Sequence, residues 1–159
     1  MIDLYTAATP NGYKVSILLE ELQLPYHVFP VNLMEREQKQ EDFLALNPNG
    51  RIPVIVDHEN DQLPVFESGA ILVYLAEKFG EFLPSDPSER AECMSWLFWQ
   101  MGSAPYLGGG FGHFYAYAPE KIEYAINRFT LEIKRQLDVL DQCLGERQFL
   151  CGNDYTIAD

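Results

Sequence analysis

The spacing of apolar residues divides the chain into a first half with short extended runs and a second half with helical repeats. In the first half the pattern predicts strands and helices in the order β-α-β-α-β-β-α. The predicted strands are Ile2–Tyr5, Tyr26–Leu33, Val54–Asp57 and Leu63–Phe66, and the predicted helices are Tyr13–Gln23, Glu37–Leu46 and Gly69–Phe79. Gly80 is a stop signal for the last helix. The first half is therefore predicted to be an α/β domain.

The second half shows no strand pattern and is predicted to be all-helical. One helix is expected over Ser88–Met101, and the Gly/Pro-rich stretch Gly102–Pro119 interrupts the pattern. Pro119 is then expected to begin a long helix, because proline is favoured in the first helical turn. The core of this second half is expected to consist of apolar side chains from both helices: Trp96, Trp99, Ile122, Ile126, Phe129, Ile133, Leu137, Leu140 and Leu144. The predicted domains are residues 1–84 and 88–159.

Pro53 opens the third predicted strand, and the whole order of elements is that of the thioredoxin fold. A proline cannot donate a hydrogen bond to a sheet, so it suits the first residue of a strand. It also favours extended geometry in the residue before it. Ile52 is therefore expected to present its own N–H and C=O to an extended, peptide-like ligand.

The junction Glu67-Ser68 predicts a second part of the same site. Ser68 is a natural N-cap for the helix that follows, and the first N–H groups of a helix can bind a carboxylate. Glu67 beside it could hold an ammonium group. A backbone slot, a carboxylate site and an amine site together describe a binding site for a γ-glutamyl peptide.

Composition limits the class of partner. The chain has 159 residues, 47% hydrophobic content and a net charge of −13, which disfavours binding to nucleic acid or to anionic membranes. No apolar run reaches the ~18 residues of a membrane span, and no basic region indicates a signal peptide. Three cysteines without a C-x-x-C spacing indicate free thiols and a cytoplasmic, reducing compartment. The three histidines show no metal-ligand spacing, so no metal site is predicted.

The segment Tyr155–Asp159 has the pattern of a hydrophobic staple with a capping box. Thr156 would be the N-cap, and Asp159 follows three residues later. Such a signal announces a helix, and the sequence stops before that helix. We expect the chain to be truncated at its C-terminus, with bare apolar surface on the second domain.

Together these motifs resemble the glutathione S-transferase family, and the similarity spans the whole chain. The most specific resemblance is to the bacterial nu-class glutathione-dependent disulfide-bond oxidoreductases, in the segments Ile2–Tyr5, Thr9–Gly12, Phe66–Leu72, Trp96–Gln100 and Tyr124–Ile126. The resemblance implies an α/β thioredoxin-like N-terminal domain followed by an all-α C-terminal domain. It also implies glutathione as a cosubstrate and a homodimer, with the helix 67–79 and the first long helix of the second domain near the interface.

The resemblance further implies contacts between glutathione and Gln38, Arg51, Ile52, Glu67, Ser68 and Arg128, with Pro53 completing the slot. Three of these residues have a plain structural alternative. Gln38 lies in the charged run 35–42, which on composition alone is a solvated face. Arg51 could be a surface charge on a loop. Arg128 could pair with Glu132, four residues later on a helix.

The loop after the first strand decides the chemistry. In thioredoxin-like folds a redox cysteine commonly begins the first helix. This chain has Thr9-Pro10-Asn11-Gly12 there, so a bound glutathione would have to supply the thiol. Thr9 and Asn11 could each donate a hydrogen bond to the thiolate, which favours the ionised form. Thr9 could also be an ordinary N-cap, and Tyr5, within the strand, is expected to be core.

These residues favour a glutathione-dependent thiol–disulfide oxidoreductase that acts on a small disulfide. Transferase activity on an electrophile, or peroxidase activity, would use the same thiolate, and a glutathione-assisted isomerase would share the site. The segment Leu107–Tyr115 is either an aromatic wall over the active cleft or a break between two helices. The alternative from another class is a non-catalytic interaction or regulatory module of the same fold.

Overall fold

The computed structural model describes all 159 residues and divides the chain into two units, Met1–Glu81 and Phe82–Asp159. The division falls slightly before residue 84, where the sequence pattern ends the first domain. None of the helices combines the length and the apolar character needed to cross a bilayer.

A four-stranded mixed sheet forms the centre of the first unit. Its strands are β1 (Ile2–Thr6), β2 (Tyr26–Pro30), β3 (Val54–Asp57) and β4 (Leu63–Phe66), in the order β2-β1-β3-β4. β1 and β2 are parallel, whereas β3 runs antiparallel to both β1 and β4. All four predicted strands are present. β2 ends earlier than predicted, at Pro30, which is paired with the last residue of β1, Thr6. The Val31 N–H makes one more hydrogen bond, to the Thr6 carbonyl.

The helices of the first unit are α1 (Pro10–Glu21), α2 (Glu41–Leu46) and α3 (Ser68–Phe79). The predicted helix over residues 37–46 is wrong in its first half. Glu37–Lys39 form only a 3₁₀ turn, and Gln40 is extended with φ −74° and ψ 153°. This break redirects the chain, and α2 then buries Phe43 against Val31 and Val54.

Side chains alternate between the two faces of the sheet, as they must in extended strands. Leu4 and Ile55 are register partners and are completely buried on one face. Tyr5 and Val54 are the next pair, on the opposite face, where Phe43 of α2 packs against them. Because α1 and α3 contact each other, they share the remaining face, over Leu4 and Ile55.

The second unit is helical, but the predicted interruption at residues 102–119 is wrong. α4 (Pro87–Pro105) continues directly into a π-helical segment, Tyr106–Tyr117, in which N–H groups bond to carbonyls five residues earlier. Aromatic packing supports this unusual geometry. The ring of Phe114 stacks on Phe129 of the next helix, with 5.6 Å between centroids.

The last helix, α5 (Glu123–Leu144), begins later than predicted. Pro119 is not at the helix start. Ala118 is extended, with φ −63° and ψ 137°, as the residue before a proline should be. Ile122 is still extended, and the helix begins only after it.

The apolar stripe of α5 is not a buried core, which contradicts the prediction. Ile122, Leu137 and Leu144 are 46%, 57% and 46% exposed. The stripe is partly covered where the π-helical segment contacts α5, as in the stacking of Phe114 on Phe129. Trp96 and Trp99 are only half-buried and meet edge to face.

The predicted capping box at the end of the chain is formed in part. The Asp159 carboxylate accepts a hydrogen bond from the Thr156 N–H at 2.9 Å. The Thr156 hydroxyl oxygen accepts from the Ala158 N–H rather than from Asp159. The N–H that donates to the Thr156 hydroxyl is therefore one residue earlier than in a standard capping box.

A buried ion pair joins α3 to the end of β3. The Asp57 side chain is completely buried and accepts hydrogen bonds from Lys78 Nζ and from the Tyr74 hydroxyl, both at 2.5 Å. Burial by itself raises the pKa of Asp57. The hydrogen bonds from Lys78, Tyr74 and the Glu59 N–H outweigh it and hold the pKa below its ordinary value.

Tyr74→Phe is expected to lower the free energy of unfolding by about 1–3 kcal/mol at neutral pH, because it removes a hydrogen bond to a buried carboxylate. A lowered folded pKa means that this stabilisation is complete above the ordinary value of 3.8 and is lost as the pH falls through the folded pKa. Urea unfolding between pH 7 and pH 2 measures this, with the exposed Tyr13→Phe as control. A loss that is equal at both ends of the range would contradict the assignment.

Candidate functional site

The pairing of the strands brings most of the predicted site residues to one end of the sheet. Tyr5, Val54 and Phe66 lie side by side on β1, β3 and β4. The residues that precede or follow these three positions in the chain therefore meet at the same end of the sheet. These are the loop of Thr9 and Asn11, the dipeptide Ile52-Pro53 and the junction Glu67-Ser68.

Thr9 is the N-cap of α1, as predicted. Its Oγ1 accepts a hydrogen bond from the Gly12 N–H at 3.2 Å, and Pro10 occupies the first helical position. An N-cap hydroxyl that accepts this bond retains its own proton for donation. The capping role therefore leaves Thr9 able to donate to a ligand.

Asn11 lies two residues after Thr9, in the first turn of α1. Its side chain is exposed and forms no hydrogen bond within the chain. Because Thr9 already caps the helix, the Asn11 amide is available as a donor beside the helix start.

Tyr5 belongs to the packing of the sheet. Its ring stacks on Phe29 with 4.8 Å between centroids and meets Phe43 edge to face. Burial, and to a smaller extent the charge of Asp3, raise the pKa of Tyr5. This environment fits the expected structural role.

The backbone of Ile52 is open. Neither its N–H nor its C=O forms a hydrogen bond within the chain, and β3 begins only at Val54. The Ile52–Pro53 peptide bond is cis, and Pro53 is buried. One unpaired donor and one unpaired acceptor on the same residue are what an added extended peptide can bind.

The loop before Ile52 is built around Asn47, which sequence reasoning did not single out. Asn47 is 1% exposed, and its Nδ2 donates to the Arg51 carbonyl at 2.8 Å. Its Oδ1 accepts from the Asn49 N–H at 2.9 Å, and its carbonyl accepts from the Gly50 N–H. The turn-rich string Asn47-Pro48-Asn49-Gly50 was the available sequence signal.

The junction at Glu67 differs from the prediction in one respect. Ser68 is not the N-cap but the first helical residue, and Glu67 occupies the cap position. Glu67 has φ 70° and ψ 120°, an uncommon conformation for a residue with a side chain. This sharp turn starts α3 one residue early and leaves Ser68 buried beneath it. The N–H groups of the first turn still lack partners within the helix.

Gln38 and Arg51 flank the same loop. Gln38 is not part of a fully solvated face, because its Oε1 is buried and has no hydrogen-bond partner. The backbone carbonyl oxygen of Gln38 lies close to Gly50. A Cβ added at Gly50 would be 2.9 Å from this oxygen. The Arg51 side chain is exposed, while its carbonyl is held by Asn47.

Arg128 lies in the second unit, on α5. The proposed pairing with Glu132 does not form, because the Glu132 carboxylate binds Arg135 at 2.6 Å instead. Hydrogen bonds from Arg135 and Gln136 lower the pKa of Glu132 to about 2, and Arg128 contributes only through its charge.

The electrostatics favour an anion at the start of α1. α1 has no acidic residue in its first turn, so the partial positive charge of this helix end is not neutralised there, whereas α3 has the Glu67 carboxylate at its cap position. Lys14 of α1 is half-buried. Burial lowers its pKa, and the nearby Glu67 carboxylate opposes this shift.

All three cysteines belong to the second unit and are free thiols. Burial raises the pKa of Cys151 to about 11, and Cys93 is completely buried, as expected for a small apolar group. No group of three or more His, Cys, Asp and Glu side chains is arranged to hold a metal ion. The first unit, which contains the start of α1, has no cysteine of its own.

Comparison with known proteins identifies relatives. Residues 1–77 match the family described as Glutathione S-transferase, N-terminal domain. The chain is 54% identical to the disulfide-bond oxidoreductase YghU of Escherichia coli, over 99% of this chain and 57% of the relative. It is 46% identical to the disulfide-bond oxidoreductase YfcG of the same organism, over 100% of this chain and 76% of the relative.

A solved structure is also closely similar. The glutathione transferase YghU from Streptococcus pneumoniae, complexed with glutathione, has a TM-score of 0.97 and 56% identity, over 99% of this chain and 63% of that chain. This chain thus spans about three fifths of the length of either YghU protein.

Gly12→Ala is expected to lower the free energy of unfolding by about 1–3 kcal/mol, because an overpacked site must shift its neighbours. An added Cβ would lie 2.3 Å from Thr6 Oγ1 and 2.5 Å from the Ala7 carbonyl oxygen. Chemical denaturation measures the loss. Gly102→Ala is the matched control, because nothing lies within 4 Å of its Cβ position in α4. It should instead gain about 0.5–1 kcal/mol. A Gly12→Ala protein as stable as the unchanged chain would contradict the close approach.

Proposed function

The chain belongs to the glutathione S-transferase family, and on this premise we propose that it is a glutathione-dependent thiol–disulfide oxidoreductase. The observation that carries the proposal is the start of α1. No cysteine is present there, and Thr9 and Asn11 offer a hydroxyl and an amide donor. A thiolate brought by a ligand is what such a site can stabilise.

The open backbone of Ile52, ahead of Pro53, would bind the peptide groups of glutathione. The first turn of α3, with Ser68, would bind the γ-glutamyl carboxylate, and the Glu67 carboxylate would bind the neighbouring ammonium. Gln38 and Arg51 are proposed to bind the rest of the tripeptide, with Arg51 suited to the glycyl carboxylate. The buried, unpaired Oε1 of Gln38 supports a polar partner there. Arg128 of the second unit is proposed as a further contact.

The site would act on the sulfur by favouring its charged form. Each hydrogen bond from Thr9 or Asn11 is stronger to a thiolate than to a thiol, so together they would lower the pKa of the bound glutathione. The uncompensated N-terminus of α1 adds to the same effect. A lowered pKa provides more thiolate at neutral pH, and the thiolate is the nucleophile.

The reaction would proceed in two exchanges. The bound thiolate attacks one sulfur of a small disulfide, a new sulfur–sulfur bond forms, and the other sulfur leaves as a thiolate. A second glutathione thiolate then attacks the mixed disulfide at the sulfur of the first glutathione. Two glutathione molecules are oxidised to one glutathione disulfide, and the substrate disulfide is reduced to two thiols.

Transfer of glutathione to an electrophile, and peroxide reduction, would use the same thiolate and are proposed as side activities. Three free cysteines support a cytoplasmic location. A homodimer is proposed as well, and exposed apolar side chains on the edge strand β4, Leu63 and Phe66, support an interface near α3. The absence of metal, nucleic acid and membrane partners stays a prediction.

The alternative is a non-catalytic module that keeps the glutathione slot and recruits another protein. It would need the slot but not the donors at Thr9 and Asn11. The unpaired amide of Asn11 therefore favours the enzyme.

The enzyme and the module differ in two measurements on one preparation. We expect retention on glutathione-agarose and, in addition, glutathione-dependent reduction of hydroxyethyl disulfide. Turnover is followed as glutathione disulfide formed. Retention without turnover would favour the module, and a folded chain that shows neither would refute glutathione binding.

Two alanine variants should separate chemistry from binding. Asn11→Ala is expected to lower kcat about tenfold or more with a small change in glutathione affinity, because it removes stabilisation of the charged sulfur.

Ser68→Ala is expected to weaken glutathione binding about fivefold or more while kcat at saturation changes little. Steady-state kinetics and calorimetry measure both. Equal losses of kcat and affinity in Asn11→Ala would contradict its assigned role.

A further inference from the structure

The turn Asn47–Gly50 lies between the two halves of the proposed site. We propose that Asn47 and Asn49 are positioning residues that couple the backbone slot at Ile52 to the carboxylate of Glu67. The proposal rests on the proposed function, since it assigns the arrangement of the same glutathione site.

Asn47 sets the position of the slot. Its single buried side chain bonds at both ends, to the Arg51 carbonyl at 2.8 Å and to the Asn49 N–H at 2.9 Å. Its own N–H bonds to the Phe43 carbonyl at 2.9 Å, which anchors the turn to α2. The peptide groups on either side of the turn are therefore fixed by one amide side chain. The Arg51 carbonyl and the Ile52 N–H belong to the same planar peptide group, so this contact fixes the direction of the open N–H.

Asn49 connects the turn to the other half of the site. Its Nδ2 donates to Glu67 Oε1 at 3.2 Å, and its carbonyl accepts from Lys39 Nζ at 3.2 Å. The Asn49 amide is neutral, so it orients the Glu67 carboxylate without adding to the positive charge that Lys14 already places near it. The Glu67 backbone has φ 70°, and its carboxylate contacts this turn through the Asn49 amide.

These bonds form one continuous path. It runs from the Arg51 carbonyl through the Asn47 side chain to the Asn49 backbone, and from the Asn49 side chain to Glu67. A path of direct hydrogen bonds makes the two subsites energetically dependent on each other. Because the Asn49 side chain contacts Glu67 directly and reaches the slot only through its backbone, its removal should weaken the binding of ligands with an amine more than that of ligands without one.

The first test is a thermodynamic cycle in which one side chain of the protein and one group of the ligand are removed separately and together. Calorimetry compares glutathione with N-acetylglutathione, which lacks the ammonium, on the unchanged chain and on Asn49→Ala. Because a hydrogen bond to a charged group is removed, we expect glutathione binding to weaken about fivefold and N-acetylglutathione binding to change less than twofold. The exposed Asn153→Ala is the matched control and should change neither.

If Asn49→Ala weakens the binding of glutathione and of N-acetylglutathione equally, the inference is overturned and the proposed function is left intact. An unchanged chain that does not bind glutathione would refute both. Because Asn49 is exposed, its variant should fold even if Asn47 variants do not.

The second test separates positioning from general stability. Asn47→Ala should raise KM for glutathione about tenfold while kcat at saturating glutathione stays within about twofold, because the chemistry at Thr9 and Asn11 is not touched. Tyr74→Phe, which loosens the opposite end of β3, is the control for lost stability. If Tyr74→Phe raises KM as much as Asn47→Ala does, the role of Asn47 is only structural.

Discussion

The antiparallel pairing of β3 between β1 and β4 is the constraint on which the site depends. A shift of one residue in that register would turn every side chain of β3 to the other face of the sheet. The completely buried Ile55 and Val54 oppose such a shift, because each would enter the core on the other face and both cores would have to repack. The same register sets Ile52 beside the start of α1 and beside Glu67. Burial of two aliphatic side chains thus fixes the geometry of an exposed polar site.

Much of the first unit could be predicted from sequence because its signals are local. Pro53 marks the start of β3, Thr9-Pro10 marks the start of α1, and Gly80 ends α3 with φ 73°. Each of these residues restricts the backbone by its own covalent structure or capping chemistry. The predicted open backbone at Ile52 follows from the same kind of reasoning, and the structure agrees with it.

The features that sequence reasoning missed depend on contacts made elsewhere in the chain. The positive φ of Glu67, which displaces Ser68 from the cap, cannot be read from a residue type that normally avoids it. The role of Asn47 requires knowing that it is buried, since an Asn-Pro pair alone indicates only a turn. The apolar spacing of α5 correctly predicts a helix. The spacing does not show whether another element covers that face of the helix. In the structure Leu137, on that face, is exposed.

The state of the cysteines has a consequence for the proposed reaction, which would produce glutathione disulfide. Disulfide products can attach to a protein's own cysteines, and this modification proceeds through the thiolate of the protein. Cys93 is inaccessible, and the pKa of about 11 keeps the Cys151 thiol protonated at neutral pH. Both residues are thereby protected from S-glutathionylation. The proposed catalyst would then remain unmodified at these two positions while its own oxidised product accumulates around it.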